Sequence, residues 1–145
     1  MTRSEDRAKL RDQLTRHEGY RRKPYRDTVG KLTIAVGRNL EDVGIFEHEA
    51  AYLLSGDIDR ATRGLMARYP DWFPTLDPVR QAVLVNMAFN MGLTTLASFR
   101  RTLDYIARGQ YGAASDAMLQ SKWADQVGQR AVELAAQMRT GQWQL

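Results

Sequence analysis

The sequence predicts an α+β fold in which a small β lobe is inserted between a first helix and a helical lobe, with a long helix joining the two. Three observations carry that expectation. Hydrophobic residues alternate with a period of two only between Tyr20 and Leu40. From Ala50 onward apolar stripes recur at helical spacing. Pro70, Pro74, Pro78, Gly92, Gly109 and Gly128 fall between those stripes, as punctuation does. The 145 residues fit one domain, and 43% apolar with 26% charged residues is ordinary for a globular chain. No internal repeat or low-complexity segment occurs.

The first helix is expected from about Glu5 to about Glu18. Ser4 would be its N-cap, and Glu5 and Asp6 would favour its positive end. Leu10 and Leu14 share a face, and Gly19 reads as the stop. Gly30 then breaks the next segment. Leu32, Ile34 and Val36 alternate with Thr33, Ala35 and Gly37, which predicts a strand paired with Tyr25–Asp27 in a hairpin. Ala50, Leu53, Leu54, Ile58, Ala61 and Leu65 make one stripe of a long helix ending near Pro70. Pro70, Pro74 and Pro78 mark a turn-rich connection, and Asp77–Pro78 is a cap followed by proline at the first helical position. The following helix, Val79 to Phe89, is apolar almost all round, which predicts a buried central helix stopped by Gly92. Amphipathic helices are expected over Ser98–Arg108, Gln110–Gln120 and Gln129–Arg139. The β lobe would span about 19–45 and the linking helix about 46–69. The helical lobe would comprise about 1–18 and 70–145, with a cleft between the lobes to hold a ligand.

Composition narrows function. With no cysteine and only His17 and His48, a disulfide framework and a three-histidine zinc site are excluded, and no metal or cofactor is expected. No apolar run approaches the roughly 20 residues of a membrane span. Met1–Arg16 is dense in charge, so a secretory signal is not expected and folding in the cytoplasm is. The net charge of +4 favours polyanions without choosing among nucleic acid, lipid and cell wall.

Two carboxylates suit glycosidic cleavage. Glu18 falls at the C-terminal end of the first helix, where the dipole disfavours negative charge and helps an acid keep its proton. Asp27 lies nine residues on, in the hairpin, and Thr33 six beyond that. One carboxylic acid can protonate the departing oxygen while the second carboxylate activates water or attacks the sugar, with a hydroxyl to hold the water. Any one of the seventeen acids is ordinarily a solvated surface charge. Thr33 alone is ordinarily a strand residue, and His17 a cation at a helix end.

The combination is more specific. His17-Glu18-Gly19-Tyr20, Tyr25-Arg26-Asp27-Thr28-Val29-Gly30 and Leu32-Thr33-Ile34-Ala35-Val36-Gly37 resemble the phage-type lysozymes, glycoside hydrolase family 24, including the spacing from glutamate to aspartate to threonine. Asn86–Gly92, Ser121-Lys122-Trp123 and Arg139–Trp143 extend the similarity collinearly, with the T-even phage branch the most similar. The resemblance implies a two-lobed lysozyme fold. It also implies hydrolysis of the β-1,4 bond between N-acetylmuramic acid and N-acetylglucosamine in peptidoglycan, with inversion. Glu18 would be the proton donor, Asp27 the second carboxylate and Thr33 the residue that places water. Asn39, Phe89 and Thr102 match substrate-cleft positions, although Phe89 also has a core reading. Arg130 matches an arginine that pairs with the catalytic glutamate. A monomer that acts on the cell wall, released through a holin-type pore, is the corresponding expectation for partners and location.

The sequence also departs from that branch. Arg38 replaces a histidine that pairs with an aspartate on the linking helix, so an Arg38–Asp57 ion pair is expected. Ala35 replaces a glycine at the cleft floor, Ala117 replaces a polar cleft residue, and Glu41–Glu47 is short. Trp123 and Trp143 read as helix-packing residues. Two other functions compete. A lytic transglycosylase would need only the acid. A non-catalytic wall or nucleic-acid module would rest on basic charge alone, without a motif of the usual nucleic-acid binders.

Overall fold

A computed structural model describes residues 3–145. The chain divides into two compact units, one ending at Tyr52 and the other running from Leu53 to Leu145. The α+β order is as expected: one helix, a three-stranded antiparallel sheet, then helices.

In the first unit, α1 spans Ser4–Glu18 and ends where Gly19 takes φ +77° and its N–H returns to the Thr15 carbonyl. Arg3 occupies the N-cap position, without a side-chain bond, so Ser4 begins the helix and does not cap it. Three strands follow: β1 (Arg21–Arg26), β2 (Leu32–Ala35) and β3 (Arg38–Asn39), in the order β1-β2-β3. Tyr25 faces Thr33, and Thr33 in turn faces Asn39. β1 is an edge strand whose register slips between Arg21 and Tyr25. Pro24, which has no N–H to give, is tolerated there. β3 was not expected, because two residues are too few to show alternation. The burial of β2 is also inverted. Thr33 is 3% exposed while Leu32 and Ile34 are only half-buried, so the polar member of the alternating set is the one the sheet covers.

The second unit begins within α2 (Glu47–Arg68), which runs on from the first. A short 3-10 turn, Phe73–Thr75, precedes α3 (Pro78–Met91), whose N-cap Asp77 accepts the Arg80 N–H with Pro78 directly after it, as expected. Then come α4 (Leu93–Ala97), α5 (Arg100–Ala107), α6 (Tyr111–Leu119), α7 (Lys122–Val127) and α8 (Gln129–Thr140). The short α4 and α7 escaped the sequence pattern because one or two turns carry too few apolar repeats to read. Phe73, Leu65, Leu84, Met87, Leu96, Ile106, Met118 and Met138 form the fully buried centre. Each such side chain contributes about 1.5–3 kcal/mol by leaving water.

Two expectations about burial change. Helix α3 buries Val83, Leu84, Met87 and Ala88 but exposes Asn86, Phe89 and Asn90, so it is covered on one face and not all round. In α2 only Leu65 is buried, and Leu54 and Ile58 wall a groove instead of packing. Polar ties close the unit. The buried Ser115 hydroxyl donates to the Ala135 carbonyl (2.8 Å), joining α6 to α8. Arg80 donates to the Met138 and Arg139 carbonyls at the end of α8 and lies 3.8 Å over the Tyr111 ring. A cation there meets the carbonyl-rich end of the helix. Gly64 lies close under Leu93, since a Cβ on it would fall 2.3 Å from Leu93 Cδ1 and oblige that side chain to shift.

Ala35 closes β2 with φ +59°, the left-handed region that a side chain disfavours. Replacing it with glycine removes that strain but adds chain entropy to the unfolded state. Ala35→Gly is expected to stabilise by about 0.5–1 kcal/mol and to raise the thermal midpoint by about 2–4 °C. A calorimetric midpoint that falls would contradict the assignment.

Candidate active site

The site is built on the two turns that bound β2. The first runs from Asp27 to Lys31. The Asp27 N–H donates to the Lys31 carbonyl (2.9 Å), and the Gly30 N–H donates back to the Asp27 carbonyl (3.0 Å). Oδ1 of Asp27 accepts the N–H groups of Val29 (3.0 Å) and Lys31 (2.8 Å). This is the local side-chain-to-backbone bonding that favours aspartate in turns. It fixes the carboxylate through one oxygen and leaves Oδ2 without a protein donor among the described residues. The same Lys31 carbonyl accepts the Thr33 hydroxyl proton (2.9 Å). With its proton committed, the Thr33 oxygen can only accept from a further partner such as water.

Glu41 braces this turn from outside. Its Oε1 accepts the Leu32 N–H (3.0 Å) and Arg26 Nη1 (2.7 Å), and Arg26 also donates to the Gly30 carbonyl. The Leu32 N–H, with the Arg26 cation beside it, holds the Glu41 carboxyl below the usual carboxylate range.

The second turn, Ala35–Gly37, approaches Glu18. Gly37 has φ +66°, and a Cβ on it would lie 2.9 Å from Oε2 of Glu18 and 3.2 Å from the carboxyl carbon. The positive φ favours glycine, and a side chain there would oblige the Glu18 carboxyl to move. Glu18 itself is exposed at the end of α1. One four-residue strand thus has Asp27 anchored at its start, Glu18 against the turn at its end, and Thr33 between them. The close approach at Gly37 was visible in the sequence only as a glycine inside an alternating strand, the usual mark of backbone contact. The role of the Lys31 main chain had no side-chain signal at all.

The remaining expected residues are more dispersed. Asn39 faces Thr33 across β2 and β3, yet its amide is spent locally: Nδ2 donates to Asp42 and Oδ1 accepts the Asp42 N–H, both at 3.0 Å. In the second unit, Phe89 is half-exposed and lines a groove of about 550 Å³ with Leu54, Ile58, Asn86, Arg130 and Trp143. Arg130 donates to the Asn86 side chain (2.7 and 3.0 Å). Trp143 is 55% exposed at that groove, which corrects its packing role. Trp123 does pack, with its Nε1 donating to Asn90 and its ring edge-on to Phe99. Thr102, 3% exposed, belongs to a separate groove of about 520 Å³. Ala117, Phe99, Trp123, Arg100, Arg101 and Lys122 also line this groove, and no acid does among the described residues.

The expected Arg38–Asp57 pair is replaced. The Arg38 guanidinium forks onto both oxygens of Glu49 (2.7 and 2.6 Å), while Asp57 takes Arg60 one helical turn further on. Glu49 stands in the first turn of α2, beside the end of the sheet. Asp57 is eight residues along the same helix, about 12 Å at helical rise. Glu49 Oε1 also accepts the Phe46 N–H, the third-residue half of a capping box. The Arg38 donors, and after them that N–H, hold the Glu49 carboxyl down to about 2, against an ordinary value of 4.5. A carboxyl lowered on folding stabilises above its unfolded value and loses that contribution as pH falls towards the folded one. The stability difference between wild type and Glu49→Gln is therefore expected to hold constant from pH 8 to pH 6 and to shrink between about pH 4.5 and 2. Denaturant titrations at several pH values measure it, and a difference independent of pH over that acid range would refute the pairing.

The phage lysozyme family model matches residues 15–139, a span that contains Glu18, Asp27 and Thr33. Among relatives, the probable T4-type lysozyme 1 of Dictyostelium discoideum is 25% identical over a 160-residue alignment covering 91% of this chain and 94% of that one. The probable T4-type lysozyme 2 of the same organism is 24% identical with the same coverage. The SAR-endolysin of Escherichia phage Mu is 29% identical across 77% of this chain and 68% of its own. With most of its length matched, the chain belongs to the phage lysozyme family and is, by that membership, a glycoside hydrolase.

Proposed function

We propose that this protein hydrolyses the β-1,4 bond between N-acetylmuramic acid and N-acetylglucosamine in peptidoglycan, with inversion at the anomeric carbon. Glu18 protonates the glycosidic oxygen as the bond breaks. Asp27 accepts a proton from the attacking water through Oδ2, the oxygen its turn leaves open. Thr33 orients that water by accepting one of its protons as a hydrogen bond. The observation that carries this reading is the shared anchoring of Asp27 and Thr33 on the main chain of Lys31, through its N–H and its carbonyl, which fixes a carboxylate and a hydroxyl acceptor in one geometry. Inversion needs room for a water between the two carboxyl groups, roughly 6.5–9.5 Å. Asp27 is held at the start of the four-residue β2 and Glu18 lies against the turn at its end, a placement that favours an intervening water over direct attack. A transglycosylase, which forms an anhydro-sugar without external water, has no use for so ordered a second carboxylate.

Wild-type protein is expected to clear suspensions of outer-membrane-permeabilised Gram-negative cells. Glu18→Gln should lower the rate by at least 10³-fold and Asp27→Asn by at least 10²-fold, as removal of an acid or base does. Mass spectrometry of the digest should show reducing muramic ends, and proton NMR should show the α-anomer forming first. Exclusively 1,6-anhydro ends would overturn hydrolysis, and an initial β-anomer would overturn inversion.

The groove holding Thr102 fits an anionic part of the same wall substrate, since Arg100, Arg101 and Lys122 rim it and no acid opposes them among the described residues. Arg100→Gln/Arg101→Gln is expected to raise the apparent KM on solubilised peptidoglycan about three- to tenfold at low salt. At 0.5 M salt the difference should nearly vanish, because exposed charges are screened there. Equal KM values at low salt would remove the groove from substrate binding.

A further inference from the structure

We infer that Arg38 and Glu49 are positioning residues for the proton donor, acting through the turn that touches it; this rests on the assignment of Glu18 as the acid. Glu18 is exposed and stands at the last residue of a helix. What limits its carboxyl on one side is the main chain of Gly37. A contact with backbone is only as firm as that backbone. The Ala35–Gly37 turn is held on its β2 side by pairing with β1. On the other side the chain enters β3, which has two residues and, among the described residues, no further strand beyond it. So short an edge strand does not hold itself.

The Arg38 side chain supplies what the strand lacks. Besides the fork to Glu49, Nη1 donates to the Gly44 carbonyl (3.1 Å), and the guanidinium lies 5.8 Å from the centre of the Phe46 ring. Glu49 adds its bond to the Phe46 N–H. Residue 38, next to Gly37, is thereby tied to the loop at 44–46 and to the first turn of α2. The pair is half-buried, with side-chain exposures of 32% and 28%. That is enough shielding for bidentate geometry to persist where a fully exposed pair would fluctuate. The fork resists rotation about the pair, so it fixes the direction from which Gly37 meets Glu18. Lysine in place of Arg38 would keep the charge and lose the fork.

The test compares wild type, Arg38→Lys, Arg38→Met and Glu49→Gln at a temperature at least 15 °C below every thermal midpoint, with solubilised uncross-linked peptidoglycan as substrate. Arg38→Met and Glu49→Gln are expected to lose about tenfold or more in kcat with KM within twofold, and Arg38→Lys to fall between them and wild type. In the substrate-free protein, the 15N order parameter of the Gly37 amide should fall from the rigid range near 0.85 towards about 0.6, while amides of Leu84 and Met138 stay unchanged. A Gly37 amide that remains rigid in both variants overturns the inference. So does a loosened Gly37 with unchanged kcat, or a loss confined to the thermal midpoint. If wild type fails to cleave peptidoglycan, the functional reading fails by itself, and the Gly37 measurement still decides whether the clamp holds the turn.

Discussion

The first unit depends on the main chain of one residue. The N–H of Lys31 holds the Asp27 carboxylate, and its carbonyl takes both the Asp27 N–H and the Thr33 hydroxyl. Hydrogen bonds to a charged acceptor contribute about 1.5–3 kcal/mol each, and neutral ones about 1. The turn is therefore stable enough to set the register of β2 and not merely to follow it. Register matters because a slip by one residue would move Thr33 to the opposite face of the sheet. The covered face of β2 would then hold Leu32 and Ile34 instead, and the hydroxyl would leave the carboxylate it accompanies. Packing alone would favour that slip. The polar turn, with Glu41 bonded to the Leu32 N–H, holds the register against it.

This explains which parts of the protein were readable in advance. Long helices announced themselves: α1 by its acidic start and Gly19, α3 by Asp77–Pro78 and Gly92. Glu18, Asp27 and Thr33 were readable as a spacing, since local chain geometry brings the last two together. Burial on β2 was not readable, because alternation assigns the apolar set to the interior and here a backbone-anchored threonine takes that place. The Arg38 partner was misassigned for a related reason. Sequence likeness to a histidine–aspartate pair pointed to Asp57. The longer guanidinium instead finds Glu49, an acid already aimed at the chain by its capping role. Side-chain reach and local bonding decided the partner, and neither follows from an aligned position. The short α4 and α7 and the two-residue β3 lay below the length at which periodicity carries information.

The two units are stabilised in different ways. The second has a dense apolar centre, from Leu65 and Phe73 to Met118 and Met138, and uses polar ties such as Ser115–Ala135 chiefly to fix how helices meet. The first buries few large side chains and relies on directed bonds: the Asp27 turn, the Glu41 brace and the Arg38–Glu49 fork. Directed bonds have narrow geometric tolerance, whereas apolar contacts can be remade after small shifts. The carboxylate and hydroxyl that this unit holds gain a narrow geometry from such bonds. It also becomes more sensitive to acid, because two of its braces are carboxylates that must stay ionised.

Ala35 and Gly37 show where strain is tolerated and where it is not. Both have positive φ, two residues apart in one turn. At Gly37 the space is closed by Glu18, so a side chain would collide with the acid as well as strain the backbone. At Ala35 a methyl group is accommodated at a conformational cost of about 1 kcal/mol. That cost is borne by the Arg38–Glu49 fork immediately downstream, which holds the turn in a shape the local sequence disfavours. Strain of this kind persists only where surrounding contacts over-determine the backbone. A neutral histidine or a single-bonded lysine at position 38 would hold the same turn less firmly. The arginine and the alanine are therefore best understood together: a stronger tie at residue 38 permits a more strained residue at 35, and the shape they fix between them is the one that meets Glu18.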